Sequence, residues 1–371
     1  MKTKEIEKEI CSICGKELTT RNEFDGKIMC DDCLNRETSI CQRCHTRVWN
    51  DNTCSDDYMV LCNSCYNTDY TRCADCGCIV HLDNACYFNG SSTPYCEDCY
   101  DELDNNSAIH DYNYKPDPIF YGKDSLYYGV ELEVDCGGEY SENAEKIENI
   151  GNEDAEHIYC KHDGSINNGF EIVSHPMTLD YHQKNMNWLE LFEKAISMGY
   201  KSHNTSTCGL HIHINRKAFG SNYDEQELAI ARVVYFVESN WNELVKFSRR
   251  HIDNLMRWAS KYGIVENVKN TYNKTKKGNL GRYVAVNLFN SNTVEIRIFR
   301  GTLNIDTFYA TLQLVDEICK RAIEMVDYEF EKMSWLDFVS KINKEEKPEL
   351  IKYLKLKQLY VNEPVGTEGE I

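Results

Sequence analysis

Six Cys-x-x-Cys pairs fill the first hundred residues, at Cys11/Cys14, Cys30/Cys33, Cys41/Cys44, Cys62/Cys65, Cys73/Cys76 and Cys96/Cys99. No other feature restricts so sharply what this chain can fold into. The pairs form three units, each two C-x2-C pairs separated by 15, 17 and 19 intervening residues in turn. Aligned on the second cysteine, the units share an apolar residue four positions on (Leu18, Val48, Val80) and an asparagine eight on (Asn22, Asn52, Asn84). One small fold is therefore written three times. A segment of about 30 residues cannot bury enough apolar surface to fold alone. Four thiolates paired on tight turns suit tetrahedral Zn²⁺, whose binding supplies the missing folding energy. The spacing predicts about three structural zinc sites, in modules at 11–33, 41–65 and 73–99 within a region 1–100. Iron–sulfur and cross-braced ligation are the alternatives, and Cys54, Cys78, Cys86 and His45 are spare residues able to replace a ligand.

Composition narrows the setting. The 371 residues carry 60 acidic and 41 basic side chains, a net charge of −19, which opposes binding to a polyanion and disfavours nucleic acid as a partner. Residues 1–110 are themselves acidic, with 10 Lys or Arg against 20 Asp or Glu, whereas nucleic-acid-binding fingers carry a basic face. The modules are expected to recognise a protein partner; stabilising or dimerising the chain is the other reading. No run approaches the roughly 18 apolar residues of a membrane span, and MKTKEIEKEI lacks a signal-peptide core, so a soluble cytoplasmic protein with reduced thiols and no membrane association is expected.

Residues 101–125 are polar, contain Pro116 and Pro118, show neither helix nor strand period and are expected to be a linker. Beyond them, residues 126–371 alternate strand and helix patterns. Strands are expected at 127–135, 157–161, 169–174, 210–215, 283–289 and 293–299, and helices at about 180–198, 224–249 and 306–326, with short helical pieces to the C-terminus. The mixture predicts an α+β domain, with helices covering one face of a mostly antiparallel sheet. Trp188, Trp241 and Trp258, at helical spacing among aliphatics, are expected in the core.

Three strands share one design. Gly129–Asp135 puts its aliphatics on one face and Glu131, Glu133 and Asp135 on the other; Leu210–Asn215 does the same with His211 and His213, and Val294–Ile298 with Glu295 and Arg297. Paired in one sheet, these polar faces form a surface of Glu, His and Arg, on which like charges are destabilising unless cations intervene. Carboxylate oxygens with an occasional imidazole suit Mg²⁺ or Mn²⁺. Asp163 and Glu171, eight positions apart around a Gly and Asn turn, can join the same face through a hairpin.

The ordered motifs GVELEVD, KHDGS…GFEIVS, TCGLHIHIN, RYVAVNL and TVEIRIFRGTLN resemble the amidoligase family of carboxylate–amine ligases, related to glutamine synthetase, over about residues 126–326. The resemblance implies a glutamine synthetase-like curved antiparallel sheet packed by helices and forming a funnel. ATP enters one mouth and the acid substrate the other, with two or three Mg²⁺ (or Mn²⁺) between them. By motif, Glu131, Glu133, Asp163, Glu171, His211 and Glu295 are the implied metal ligands. His213 lies toward the nucleotide, and Arg282 and Arg297 handle phosphate, with Lys161 and Arg300 as further candidates for that work. Asp163 departs from the glutamate of glutamine synthetases, and its shorter arm reaches a metal less directly.

The implied chemistry phosphorylates a carboxylate with ATP, and an amine then displaces phosphate to leave an amide. The acid and amine can be free or part of a peptide or protein. Neither a G-x-x-x-x-G-K-[ST] loop nor a strand-following G-x-G-x-x-G is present, in keeping with a nucleotide site made by sheet and metal. Ten Lys or Arg between Lys246 and Arg282 are either a substrate-entrance wall, with 270–281 as a lid, or a solvated helix face. Two other classes stand beside the ligase: a catalytically inactive zinc-dependent adaptor, and a metallohydrolase built on His211 and His213, which lacks an H-E-x-x-H motif.

Overall fold

The computed structural model describes residues 9–87, 91–263, 266–277 and 281–360; the far end of the expected lid, 278–280, the side chains of Lys276 and Lys277, and residues 361–371 lie outside the described residues. The chain divides into two compact units, 1–106 and 107–371.

The first unit repeats one motif three times. The first cysteine pair of each module sits on a turn, and the residue after the pair takes a left-handed backbone: Gly15 (φ 71°), His45 (φ 58°) and Gly77 (φ 75°). His45 thus fills a turn position that its two counterparts fill with glycine. The second pair opens a helix, Asp31–Glu37, Asn63–Asp69 or Glu97–Asn106, where the free amides of the first turn favour thiolate. Cys11, Cys41 and Cys73 are each drawn down to about 6: for Cys11 chiefly by the backbone N–H of Cys14, and for the other two by backbone N–H groups that outweigh the opposing effect of burial. Successive modules interlock. Trp49 Nε1 donates to Asp25 (2.9 Å) and stacks edge-on against Phe24, while the backbone N–H of Ile79 donates to Asp56.

The second unit is built on a seven-stranded sheet. Its strands are β1 (Ile109–His110), β2 (Tyr128–Val134), β3 (Ile158–Lys161), β4 (Phe170–Ser174), β5 (Gly209–Asn215), β6 (Val286–Asn287) and β7 (Thr293–Arg300). They lie in the order β1-β3-β4-β2-β5-β7-β6, antiparallel throughout except for the parallel pair β1·β3. The period-two pattern is realised as expected: Tyr128, Val130, Leu132, Ile212, Ile214, Val294 and Ile296 are fully buried on one face. Helix α1 (Ser141–Gly151) precedes β3. Helix α8 (Ile305–Glu324) contributes Phe308, Leu312, Val315 and Ile318 to the same core. Tyr128 OH, donating to Asp316 Oδ1 on α8 (2.8 Å), fixes the helix against the central strand. No helix among the described residues is long and apolar enough to cross a membrane.

Several elements differ from the sequence expectation. The strand expected at 283–289 shrinks to Val286–Asn287, because Ser260 takes up the backbone of Tyr283 and Ala285, accepting from Ala285 N and donating to Tyr283 O. The helix expected at 180–198 breaks into α2 (Leu179–Lys184) and α3 (Trp188–Ser197) at an Asn-Met-Asn corner. The one expected at 224–249 breaks at Asn240 into α4 (Tyr223–Ser239) and α5 (Trp241–Ser248). Asparagine side chains compete with the helix for its own backbone groups, and Asn240 Nδ2 donates to Phe236 O. Two further helices, α6 (Ile252–Trp258) and α7 (Val268–Lys277), carry much of the basic run before β6. The stretch expected as a linker carries ordered elements: the last zinc-module helix runs to Asn106, and Ile109, 2% exposed, pairs with Cys160 as edge strand β1. Trp188 is fully buried, whereas Trp241 and Trp258 are half-buried and lie beneath Lys261 and Arg257.

Helix α1 carries Glu148, whose Oε1 accepts from Cys160 N (2.8 Å). Burial pushes its carboxyl up to about 7. Its folded pKa therefore exceeds the unfolded value, so the stability it confers is complete at acid pH and is lost as the pH climbs to 7. Glu148→Gln keeps the acceptor and removes the charge. At pH 8 it should stabilise the protein against urea by about 2 kcal/mol after allowance for solvent screening, a gain that shrinks toward pH 5. An equal gain at both pH values would contradict the assignment.

Candidate metal and nucleotide site

The strand register assembles the site before any side-chain detail is considered. Glu133 lies opposite Glu171, which lies opposite Lys161; Glu131 lies opposite His211; His213 lies opposite Glu295, which lies opposite Asn287. Eight residues from six strands thus share the face away from the helices, and five of them are Glu or His from the expected metal set. Glu133, Glu171, His211 and Glu295 are all buried.

Among the donor sets that close within this face are two that share a residue. Glu131, His213 and Glu295 form one, and Glu131, Glu171 and His211 the other, with Glu131 common to both. In each set the ligand atoms lie within 4.8 Å of one another. His213 Nε2 is 3.1 Å from Glu131 Oε1 and His211 Nε2 is 3.8 Å from Glu133 Oε1, yet neither nitrogen makes a hydrogen bond. Buried imidazole nitrogens crowded by carboxylates without hydrogen-bond geometry are suited to donate to a cation. Burial alone would raise the carboxyl of Glu131, but His213 and His211 hold it well below the usual range. Burial and the neighbouring Glu131 charge push Glu171 well above that range, against the pull of Lys161 3.1 Å away. The face carries more carboxylates than its own cations neutralise, and oxygen-rich donors of this kind fit Mg²⁺ or Mn²⁺.

Surrounding groups aim these ligands. Asn287, 3% exposed, donates through Nδ2 to Glu295 Oε2 (2.8 Å) while its Oδ1 accepts from Phe289 N, which fixes the amide orientation. Asn290 reaches the same oxygen at 3.4 Å, and Arg297 holds Glu295 Oε1. Thr293 Oγ1 lies 3.2 Å from His213 Nδ1. Gly209 N donates to Glu133 Oε2 (2.5 Å).

The remaining expected residues are placed less centrally. Asp163 follows β3; its Oδ1 accepts from Ser165 N (2.7 Å), and its charge adds to the burial that raises the carboxyls of Glu133 and Glu171. Arg300 ends β7 opposite Gly209. Arg282 is exposed and donates to the hydroxyls of Tyr112 (2.8 Å) and Tyr283 (3.1 Å). Tyr112 also lies under Lys161 Nζ, 5.9 Å from its ring centroid. Sequence reasoning missed Tyr112, Asn287, Asn290, Thr293 and Gly209 as site-forming groups; Asn287, within the RYVAVNL motif, was visible only as a polar interruption of an apolar strand.

Beside the His213 end of the face lies a cavity of about 800 Å³. Phe120, Tyr223, Tyr272 and Phe289 supply aromatic walls, and Asn215 and Asn290 supply neutral amides. Arg216, also lining it, is paired with Glu227 (3.4 Å) and donates to three backbone carbonyls, so it shapes the wall.

In the first unit, the twelve expected cysteines close into three sets, Cys11/14/30/33, Cys41/44/62/65 and Cys73/76/96/99. The Sγ atoms that join the two pairs of each set lie 3.7 to 3.9 Å apart. Converging soft donors of this number fit Zn²⁺. Cys54 donates to Asn63 and Cys86 to Asn84 O, while Cys78 lies against Cys76 and Cys96, its thiol pushed up to about 12, chiefly by burial.

Residues 148–319 match the model of a protein family described as "Putative amidoligase enzyme". The matched span holds Asp163, Glu171, both histidines, Glu295 and the arginines; Glu131 and Glu133 precede it and reach the site through β2. A comparison with curated proteins finds no match.

A Cβ at Gly209 would stand 2.7 Å from His211 Nε2. Gly209→Ala should therefore displace the imidazole and weaken Mn²⁺ binding, read by electron paramagnetic resonance, by roughly 10- to 100-fold. Unchanged affinity would remove His211 from the ligand set.

Proposed function

We propose that this protein is an ATP-dependent carboxylate–amine ligase that forms an amide through an acyl phosphate. The observation that carries the reading is the pair of donor sets sharing Glu131 on one sheet face, in a chain whose residues 148–319 match the family described as "Putative amidoligase enzyme". Two adjacent divalent-ion positions suit phosphoryl transfer, in which bound cations neutralise charge on the transferring group.

The chain's own groups have distinct tasks in this reading. Glu131, Glu171, His211, His213 and Glu295, with Glu133 beside them, hold the cations; Asp163 acts from the neighbouring loop. The aromatic cavity next to His213 takes the nucleotide, with rings to stack on a base. Arg297 and Lys161, each tied to a carboxylate of the face, counter the charge that develops during transfer. Arg282 and Tyr112 flank opposite edge strands of the sheet yet meet, which supports a curved sheet roofed over its polar face. The acidic zinc modules recognise a basic polypeptide and bring one substrate group to the ligase.

The test supplies Mg²⁺, ATP, a panel of amino acids and small dicarboxylates, and hydroxylamine as a general amine. Phosphate release should require an acid. Glu295→Gln should lower it at least 100-fold, a loss of about 2.7 kcal/mol of transition-state stabilisation, with the circular dichroism spectrum unchanged. Release that ignores the acid, or survives Glu295→Gln, would defeat the reading. In the same assay Cys41→Ser should spare turnover of free acids and lose it on a basic polypeptide; equal losses on both would leave the modules a stabilising role only.

A further inference from the structure

The three zinc modules repeat one fold, so a side chain that breaks the repeat can be judged against two copies that keep it. Two places after the second cysteine of each module stand Lys16, Thr46 and Cys78. The position is equivalent in all three. Its backbone carbonyl accepts from the N–H of the module's first cysteine: Cys11 N to Lys16 O (2.8 Å), Cys41 N to Thr46 O (3.0 Å) and Cys73 N to Cys78 O (2.9 Å). What differs is the side chain. Lys16 is exposed, and Thr46 hydrogen-bonds through its side chain to the ligand Cys44. Cys78 instead sets a fifth thiol within hydrogen-bonding reach of Cys76 and Cys96, two ligands whose own sulfurs are 3.7 Å apart.

Tetrahedral Zn²⁺ offers four places, and Cys73, Cys76, Cys96 and Cys99 fill them. Cys78 is thus a thiol with no place on the metal, in contact with two that have one. As a hydrogen-bond donor it would do no more than Thr46 does, and a thiol is the weaker donor. What a thiol can do and a hydroxyl cannot is form a disulfide. Cys86 has no such placement: it belongs to the repeat, ten places after the second cysteine as Cys54 is in the second module, and its Sγ donates to Asn84 O.

The surroundings admit the chemistry. Cys76 is exposed, and Cys78 and Cys96 are half-buried, so a small oxidant reaches this corner of the set, whereas Cys73 and Cys99 are buried. Attack of the Cys76 thiolate on a peroxide breaks the O–O bond. One oxygen stays on the sulfur as sulfenic acid, and the other leaves as water or an alcohol after taking up a proton. The Cys78 thiol then attacks that sulfur, and its proton leaves with the sulfenic hydroxyl as water. The peroxide has taken two electrons from two thiols, and a disulfide remains. Cys96, also touching Cys78, can stand in for Cys76 in the same sequence. Either bridge leaves three of the four thiolates and weakens the hold on zinc.

We propose that Cys78 is a redox-active thiol: a peroxide joins it to Cys76 or Cys96 as a disulfide, so that the third module, alone of the three, gives up its zinc on oxidation and takes it back on reduction. The proposal rests on the zinc assignment and is independent of the ligase reading.

The test treats the zinc-loaded full-length protein with hydrogen peroxide, follows zinc release with a chromogenic chelator, and maps disulfides by mass spectrometry after alkylation of the free thiols. One zinc ion of the three should leave at least ~10-fold faster than the others, together with a bridge from Cys78 to Cys76 or Cys96. Dithiothreitol and added zinc should restore the full content. Cys78→Thr, which gives the third module the side chain of the second, should hold three zinc ions and lose the fast phase, whereas Cys86→Ser should keep it. Release at an unchanged rate in Cys78→Thr, a bridge that omits Cys78, or equal release from all three modules would overturn the proposal. A Cys78→Thr protein that holds one zinc ion fewer would make Cys78 a ligand and overturn it as well. A third module that holds no zinc at the outset would remove the proposal and the zinc assignment together.

Discussion

The site depends on strand register. Because side chains alternate along a strand, a one-residue slip of β2 would carry Glu131 and Glu133 into the core and turn Val130 and Leu132 outward. The apolar face therefore holds the polar face in place. Tyr128, Val130, Leu132, Ile212 and Ile296 are sealed against helices, and their burial sets the alignment that puts Glu131 opposite His211 and His213 opposite Glu295. The energy that assembles the carboxylates, against their mutual repulsion, comes from the other side of the sheet.

That arrangement leaves an electrostatic imbalance that the fold does not itself resolve. Glu131 and Glu295 are held ionised by imidazoles and a guanidinium, while burial and the Glu131 charge hold Glu171 toward its protonated form. Asn287, anchored by Phe289 N, keeps one oxygen of Glu295 engaged so that the other faces the histidines and Arg297. The face is rigid where ligand direction matters and unneutralised where a cation would sit. The zinc modules solve a different problem by related means: each has too little core, and four thiolates around a metal take the place of one.

The alternating strands were legible in the sequence because each carries a sharp period of two; β2, β4, β5 and β7 fall within a residue of expectation. Spacing likewise identified the twelve cysteines that close into three sets. What escaped reading depends on contacts between distant segments. The 283–289 strand gave way to Ser260, 23 residues from its bonding partner Tyr283. Edge strand β1 is two residues long and lies in a polar stretch where no period can be read. Arg250 was one basic residue in a run of ten until the left-handed turn at Arg249 turned it inward, where its Nη1 donates to the backbone of β7. Asn287 showed only as a polar interruption of its strand and Gly209 not at all, since what they do is set by the neighbour each touches.

The central claim is that the acid is activated by phosphoryl transfer on this sheet face, and isotope transfer tests it most directly. The acid that supports phosphate release, labelled with ¹⁸O in its carboxyl groups, would be turned over with unlabelled ATP, Mg²⁺ and hydroxylamine, and the released phosphate analysed by mass spectrometry. The account predicts one ¹⁸O in each phosphate formed, because the oxygen that leaves the acid leaves with the phosphoryl group. Phosphate released without label, in step with amide formation, would contradict it.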